Sequence, residues 1–247
     1  MIKSQGSYNG VPWRSHEITR IEALSDAVFA FAVTLLVVSL EVPQTFTELW
    51  EKMHGLIAFA ISFSLLFQVW YTQHTFFRRY GMQDAATLIL NAILLFLVLF
   101  YMYPLKFLFL LLSNEFLGGH GITRLPDGRS VPMLASPAEA NTLMIIYGIG
   151  FAAVFAIFVL LYHNVFRRRK ELGLSPVEVF DAQSSVGVNA VMVSIGLASI
   201  AVLEVTGSPA WAGMSYVLIP VAQASLGSIR GGKRKRRFGN ELLHKSA

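Results

Sequence analysis

The stretch "RIEALSDAVFAFAVTLLVVSLEVP", residues 20–43, decides how the rest of the chain is read. From Leu24 onward it is apolar enough to enter a membrane, yet Arg20, Glu22, Ser25 and Asp26 stand in its first two turns. Hydrocarbon about 30 Å thick is crossed by roughly 20 apolar residues in helical form. Runs of that kind recur at about 24–40, 56–77, 88–112, 142–166, 186–205 and 210–229. The composition agrees: 54% of residues are hydrophobic, 14% are charged, and the mean hydropathy is +0.55. No alternating barrel pattern is present, so the spans are expected to be helical. The expected fold is all-α, a polytopic membrane protein with six transmembrane helices.

Orientation follows from the basic residues, which are retained on the cytoplasmic side. Lys3, Arg14 and Arg20 precede the first run, and Arg78 and Arg79 follow the second. Arg167, Arg168, Arg169 and Lys170 follow the fourth, and Arg230, Lys233, Arg234, Lys235, Arg236, Arg237 and Lys245 follow the sixth. Together these are sixteen of the 20 Lys and Arg residues, so both termini are expected in the cytoplasm. The expected organisation is a cytoplasmic segment 1–19, a membrane domain 20–229 with an extracytoplasmic loop at about 113–141, and a basic cytoplasmic tail 230–247. The polar residues 1–19 do not read as a cleavable signal. In the loop, "LPDGRSV" (125–131) reads as a tight turn between two short extended pieces. The tail "RGGKRKRR" (230–237) directly follows a span and reads as a topology anchor, with anionic lipid as a natural contact and no nucleic-acid role. The chain has no cysteine, which excludes disulfides, thiolate chemistry and Cys-based metal sites. Ser136-Pro137-Ala138-Glu139 and Ser175-Pro176-Val177-Glu178 both read as capped helix starts.

Within the first run, Asp26 lies roughly 9 Å beyond Arg20 along the axis at ~1.5 Å per residue. A carboxylate at that depth must face protein or water. On a helical wheel, Ala27, Phe31, Thr34, Leu35 and Val38 form one stripe, while Asp26 falls about 140° from Phe31, beside Ala30, Val33 and Val37. Asp26 is therefore read as a tie to neighbouring helices. Candidate partners are Trp70 and His74, at i and i+4 near the end of the second run, and Asn91, early in the third. All lie at similar depth, so Arg20, Ser25, Asp26, His74 and Asn91 are expected to form one polar network.

"RIEALSDAVFAFAVTLL" resembles the Arg-x-x-x-Phe-Ser-Asp signature, followed by an apolar run and Thr-Leu-Leu, that opens the first helix of the transmembrane protein 175 family of potassium-permeable channels. Arg20, Ser25, Asp26, Thr34 and Leu35 match as they stand, and Trp70, His74 and Asn91 are similar to the family's polar set. The specific match covers about residues 20–104. The resemblance implies a homotetramer, as in the prokaryotic members with one six-span unit, with a pore lined by the first helix and no loop filter; no Thr-Val-Gly-Tyr-Gly segment is present here. It further implies a hydrophobic constriction at Phe31, potassium preference at Thr34, pore-lining Leu35 and Val38, K⁺ as the permeant ion with no cofactor, and a place in the cell membrane. Two positions depart from the pattern: Leu24 replaces the signature phenylalanine, and Phe31 replaces a bulky aliphatic residue.

Two other functions compete with a weakly K⁺-selective channel. One is a proton-coupled or proton-conducting carrier using Asp26 and His74, the latter titrating near neutrality if solvated. The other is a non-conducting family member. An intramembrane enzyme is not expected, since no His-Glu-x-x-His, Gly-x-Gly-Asp or paired intramembrane carboxylates occur.

Overall fold

The computed structural model describes residues 7–8, 11–14, 17–38, 44–46, 49–50, 53, 56–116, 121–124 and 129–244. Its long helices are α1 (Arg20–Val38), α2 (Leu56–Tyr80), α3 (Ala85–Phe116), α4 (Pro137–Arg167) and α5 (Pro176–Thr206). A short α6 (Pro209–Met214) and a 3-10 turn (Ser215–Val217) then lead into α7 (Leu218–His244). Two antiparallel ribbons complete the described chain, β1 (Ser7–Tyr8) with β2 (Val11–Pro12) and β3 (Ile122–Arg124) with β4 (Ser130–Pro132). The extended pieces expected in the outer loop are therefore present, while the turn at 125–128 lies outside the described residues.

Among the described residues, four stretches are long and apolar enough to cross a membrane: Ala85–Leu108, Pro137–Arg167, Pro176–Thr206 and Pro209–Phe238. The protein is thus a mostly helical membrane protein. Helices α1 and α2 occupy the first two expected spans but carry polar groups along them, Glu22 and Asp26 in α1 and Gln68, Gln73, His74, Arg78 and Arg79 in α2. The last expected span is broken by the 3-10 turn at Ser215–Val217. Beyond it α7 runs on without interruption, so the basic residues from Arg230 to Arg237 belong to a helix, and the expected tail boundary at 229/230 falls inside it.

The helix ends follow from local chemistry. The Ser136 hydroxyl accepts from the Glu139 N–H behind Pro137 at the start of α4. Ser175 and Glu178 close a full capping box at α5. That helix stops at Gly207, whose φ of 64° lies in the left-handed region that glycine enters without a Cβ penalty. Helices α4 and α5 cross where Gly148 meets Gly196; a Cβ on Gly196 would sit 3.1 Å from the Gly148 carbonyl oxygen. Only small residues allow backbones that close. The centre of the core is formed by α2, α3 and α4, with Phe76, Phe77, Leu94, Phe158 and Leu161 fully buried. Phe76 meets Tyr162 edge-on at 5.3 Å, the preferred geometry of an aromatic pair.

Asp84 fastens the start of α3 to the end of α4. Its carboxylate accepts from the Thr87 N–H (3.3 Å) and hydroxyl (2.7 Å), and from Asn164 Nδ2 (3.1 Å). Partial burial pushes its pKa up, but the Thr87 and Asn164 hydrogen bonds and the Arg168 charge outweigh that, and the carboxyl titrates below its ordinary value. A depressed carboxylate stabilises the fold above the unfolded-state pKa and loses that contribution as pH falls through the folded one. Asp84→Ala is expected to cost about 1 kcal/mol at neutral pH, roughly 2–4 °C in Tm. Thermal melts in detergent check this, and the gap from wild type should narrow on acidification through the depressed pKa.

Candidate functional site

Helix α1 is two-sided. Glu22, Ser25, Phe29, Ala32 and Leu36 are buried against α2 and α3 at three- and four-residue spacing. The opposite side is open: Leu24 is 58% and Phe31 55% exposed, with Ala23, Ala27, Ala30 and Thr34 also exposed and Leu35 half-buried. The Val38 side chain lies outside the described residues. The Thr34 hydroxyl donates to the Ala30 carbonyl at 3.0 Å, so its proton is held by its own helix and its oxygen lone pairs remain available.

The first turn of α1 is capped by Thr19 and Glu22. The Glu22 N–H donates to the Thr19 hydroxyl (3.3 Å), and Glu22 Oε2 accepts from the Thr19 N–H and hydroxyl at 2.8 Å each. Glu22 is only 5% exposed, and Arg78 approaches its other oxygen at 3.9 Å. A Thr-x-x-Glu signature at 19–22 would have identified this capping box in the sequence.

The expected single network is instead two. In one, Gln73 Nε2 donates to Asn91 Oδ1 (3.1 Å), Asn91 Nδ2 donates to Ser25 Oγ (3.0 Å), and the Ser25 hydroxyl donates to the Ile21 carbonyl (2.7 Å). Gln73, Asn91 and Ser25 are all essentially buried, so each polar group needs the others. Gln73 was missed in the sequence, where its signal was a second amide at the depth of Asn91. In the other, Trp70 Nε1 donates to Asp26 Oδ1 at 2.8 Å. The Trp70 ring stacks on His74 at 5.2 Å; His74 in turn meets Trp13, over which Arg78 sits at 5.8 Å. His74 thus joins through its ring face. Arg20 is the departure: it is exposed, has no hydrogen bond or ion pair among the described residues, and lies three helical turns below Phe31 on the same side.

Asp26→Ala removes the acceptor of the Trp70 indole. The expected result is a loss of about 1 kcal/mol, read by thermal melting in detergent.

A third cluster ties α2 to the far end of the chain. Asp181 of α5 is 1% exposed and pairs with Arg79 of α2 through a hydrogen-bonded ion pair. Arg230 and Arg234 of α7 approach its other oxygen at 3.6 and 3.2 Å, and Arg230 donates to the Asp181 carbonyl at 3.2 Å. Nearby, Arg14 forks onto both oxygens of Glu178 at 2.8 and 2.9 Å and donates to the Leu172 carbonyl at 2.5 Å, docking the N-terminal segment on the α4–α5 link. Among the described residues no cluster of His, Asp or Glu could hold a metal ion.

The family model described as the endosomal/lysosomal potassium channel TMEM175 matches residues 20–101. A potassium channel of Marivirga tractuosa is 43% identical over 188 residues, covering 76% of this chain and 75% of that one. A potassium channel of Chamaesiphon minutus is 36% identical over 99 residues, covering 36% of this chain and 47% of that one. Among solved structures, an alanine variant of the potassium channel MtTMEM175, in complex with a nanobody–MBP fusion, superposes with a TM-score of 0.75 at 37% identity. That match covers 92% of this chain and 99% of that one. A lysosomal potassium-selective channel TMEM175 homolog from Chamaesiphon minutus matches with a TM-score of 0.56 at 23% identity, over 84% of this chain and 96% of that one; that likeness speaks to the fold.

Proposed function

Because the chain belongs to the TMEM175 family, we propose that it is a potassium-permeable, weakly K⁺-selective channel. It works as a homotetramer of six-span subunits in the cell membrane, both termini cytoplasmic, with anionic lipid at its basic end. The protein is not an enzyme: its family and its relatives are potassium channels. The pore is lined by four copies of α1, Phe31 forms the hydrophobic constriction, and Thr34 sets the ion preference, with Leu35 and Val38 completing the lining.

One observation carries the reading. The buried face of α1 is fully used within the chain, and its other face presents Phe31 and Thr34 outward. The exposed Ala23, Ala27 and Ala30 on that outer side are small enough for symmetry-related helices to approach closely. The Thr34 oxygen supplies a lone-pair donor to a partly dehydrated cation, the kind of ligand that favours one alkali ion over another. The carrier reading has no comparable support: Asp26 accepts from Trp70, and His74 meets that indole by stacking, so the two are not joined for proton exchange.

The test is flux from proteoliposomes loaded with K⁺ or Na⁺. Thr34→Ala is expected to bring the K⁺ over Na⁺ preference severalfold closer to unity while the tetramer stays assembled. An unchanged preference in intact tetramers removes Thr34 from the selectivity step.

A further inference from the structure

We propose that the groove between the α4–α5 link and the last turns of α7 is a binding site for the headgroup of an anionic phospholipid. This deepens the reading of the basic end as lipid-facing, and rests on it, but does not depend on ion conduction. The groove has a volume of about 450 Å³, and its cations are Arg169, Lys170 and Arg237. No carboxylate lines it. The carboxylates described nearby have other partners: Asp181 has Arg79, Arg230 and Arg234, Glu178 has Arg14, Asp84 has Thr87 and Asn164, and the exposed Glu171 beside Lys170 has Arg168 at 3.9 Å. None of the three groove cations forms an ion pair among the described residues. Arg169 donates to the Phe166 carbonyl at 3.0 Å and lies over that ring, and Arg237 lies 5.7 Å from the Phe238 ring centre.

Three like charges converging on one cavity repel each other unless an anion joins them. A phosphate supplies that charge with oxygens in the geometry that guanidinium groups prefer. Leu174, Pro176, Val179, Phe180 and Phe238 give the groove an apolar wall, and Gln183 adds one amide to it. A free phosphate leaves that wall wetted. A phospholipid covers it with glycerol and the first methylenes, adding apolar burial to the charge interaction. The position fits as well, because the link between α4 and α5 meets the end of the last candidate span here, about two helical turns beyond Ile229. That is headgroup depth for the leaflet on the basic side. Lys233, Lys235 and Arg236 add to the local potential but do not line the cavity.

The experiment uses the full chain in detergent with phosphatidylglycerol, with phosphatidylcholine of the same acyl chains, or with soluble glycerol phosphate. Native mass spectrometry counts retained lipid, and melting reads stabilisation. Wild type is expected to retain phosphatidylglycerol in preference to phosphatidylcholine, and phosphatidylglycerol should raise Tm by roughly 5–10 °C at a hundredfold excess over Kd. The triple variant Arg169→Gln, Lys170→Gln, Arg237→Gln should lose the shift at least tenfold in lipid concentration. The charge-matched control Lys233→Gln, Lys235→Gln, Arg236→Gln should keep it. Equal retention of the two lipids by wild type overturns the proposal whatever the variants do. An equal loss in the control shows diffuse attraction instead of a site, and a full shift with glycerol phosphate alone makes it a free-anion site; either outcome overturns the lipid assignment. Conduction is not read in any arm, so a failure here leaves the channel reading untouched, and a non-conducting protein leaves the lipid site testable.

Discussion

On the proposed pore, Phe31→Ala is expected to raise K⁺ flux at least tenfold in proteoliposomes. A ring of four phenylalanines around an axis excludes water, and an ion must shed its hydration to pass such a constriction. Every tenfold in rate corresponds to about 1.4 kcal/mol of barrier, which is modest beside the desolvation that an apolar ring imposes. The substitution should leave the subunit folded, because Phe31 is 55% exposed and lies opposite the face that α1 buries against α2 and α3. Flux measured against a melt of the same preparation separates gating from stability. Unaltered K⁺ flux in intact tetramers would take Phe31 out of the permeation path. No flux from either wild type or variant would leave the family membership standing and the conduction unsupported.

The largest stability effect is expected at Asp181. Its carboxylate is 1% exposed and faces guanidinium groups from Arg79, Arg230 and Arg234. Removing it leaves cations from two helices in one partly buried pocket with no counter-charge. Breaking a buried ion pair from one side costs about 3–5 kcal/mol, because the abandoned charge remains desolvated. Asp181→Ala should therefore lower Tm by roughly 10 °C in a chain of this size. If the cause is the stranded charge, Arg79→Met should cost less in the Asp181→Ala background than in wild type, and a double-mutant cycle measures the difference. Additive losses would assign the effect to lost packing. The cluster also links α7 to α2 through Asp181 of α5, and Trp70 of α2 in turn holds Asp26 of α1.

Helix positions were legible because each is written in consecutive residues. The serine–proline starts at 136 and 175 produced the caps expected of them, and the two-sidedness of α1 followed from the spacing of its apolar residues. The polar site was legible in part. Ser25, Asp26, Trp70 and Asn91 were found from their depth in apolar helices, and all four are hydrogen-bonded across helices. Depth alone could not show which of them pair, nor that Gln73 joins Asn91 or that Arg20 turns outward. The pairings depend on the rotation of α2 about its own axis, which no local pattern encodes, whereas the outward turn of Arg20 follows from its place three turns below Phe31 on α1.

The sequence by itself determined that this is a helical membrane protein, where the helices behind Ser136 and Ser175 begin, and that Ala27, Phe31 and Thr34 share one side of the first helix. Periodicity and capping are properties of neighbouring residues, so they survive without a fold. Only the tertiary structure decided that the basic segment after Ile229 continues as helix, that two of its arginines close on Asp181, and that Arg79 reaches the same carboxylate from 102 residues away. Pairings at that distance are set by how helices cross and in what register. A linear reading sees the charges but not their meeting point.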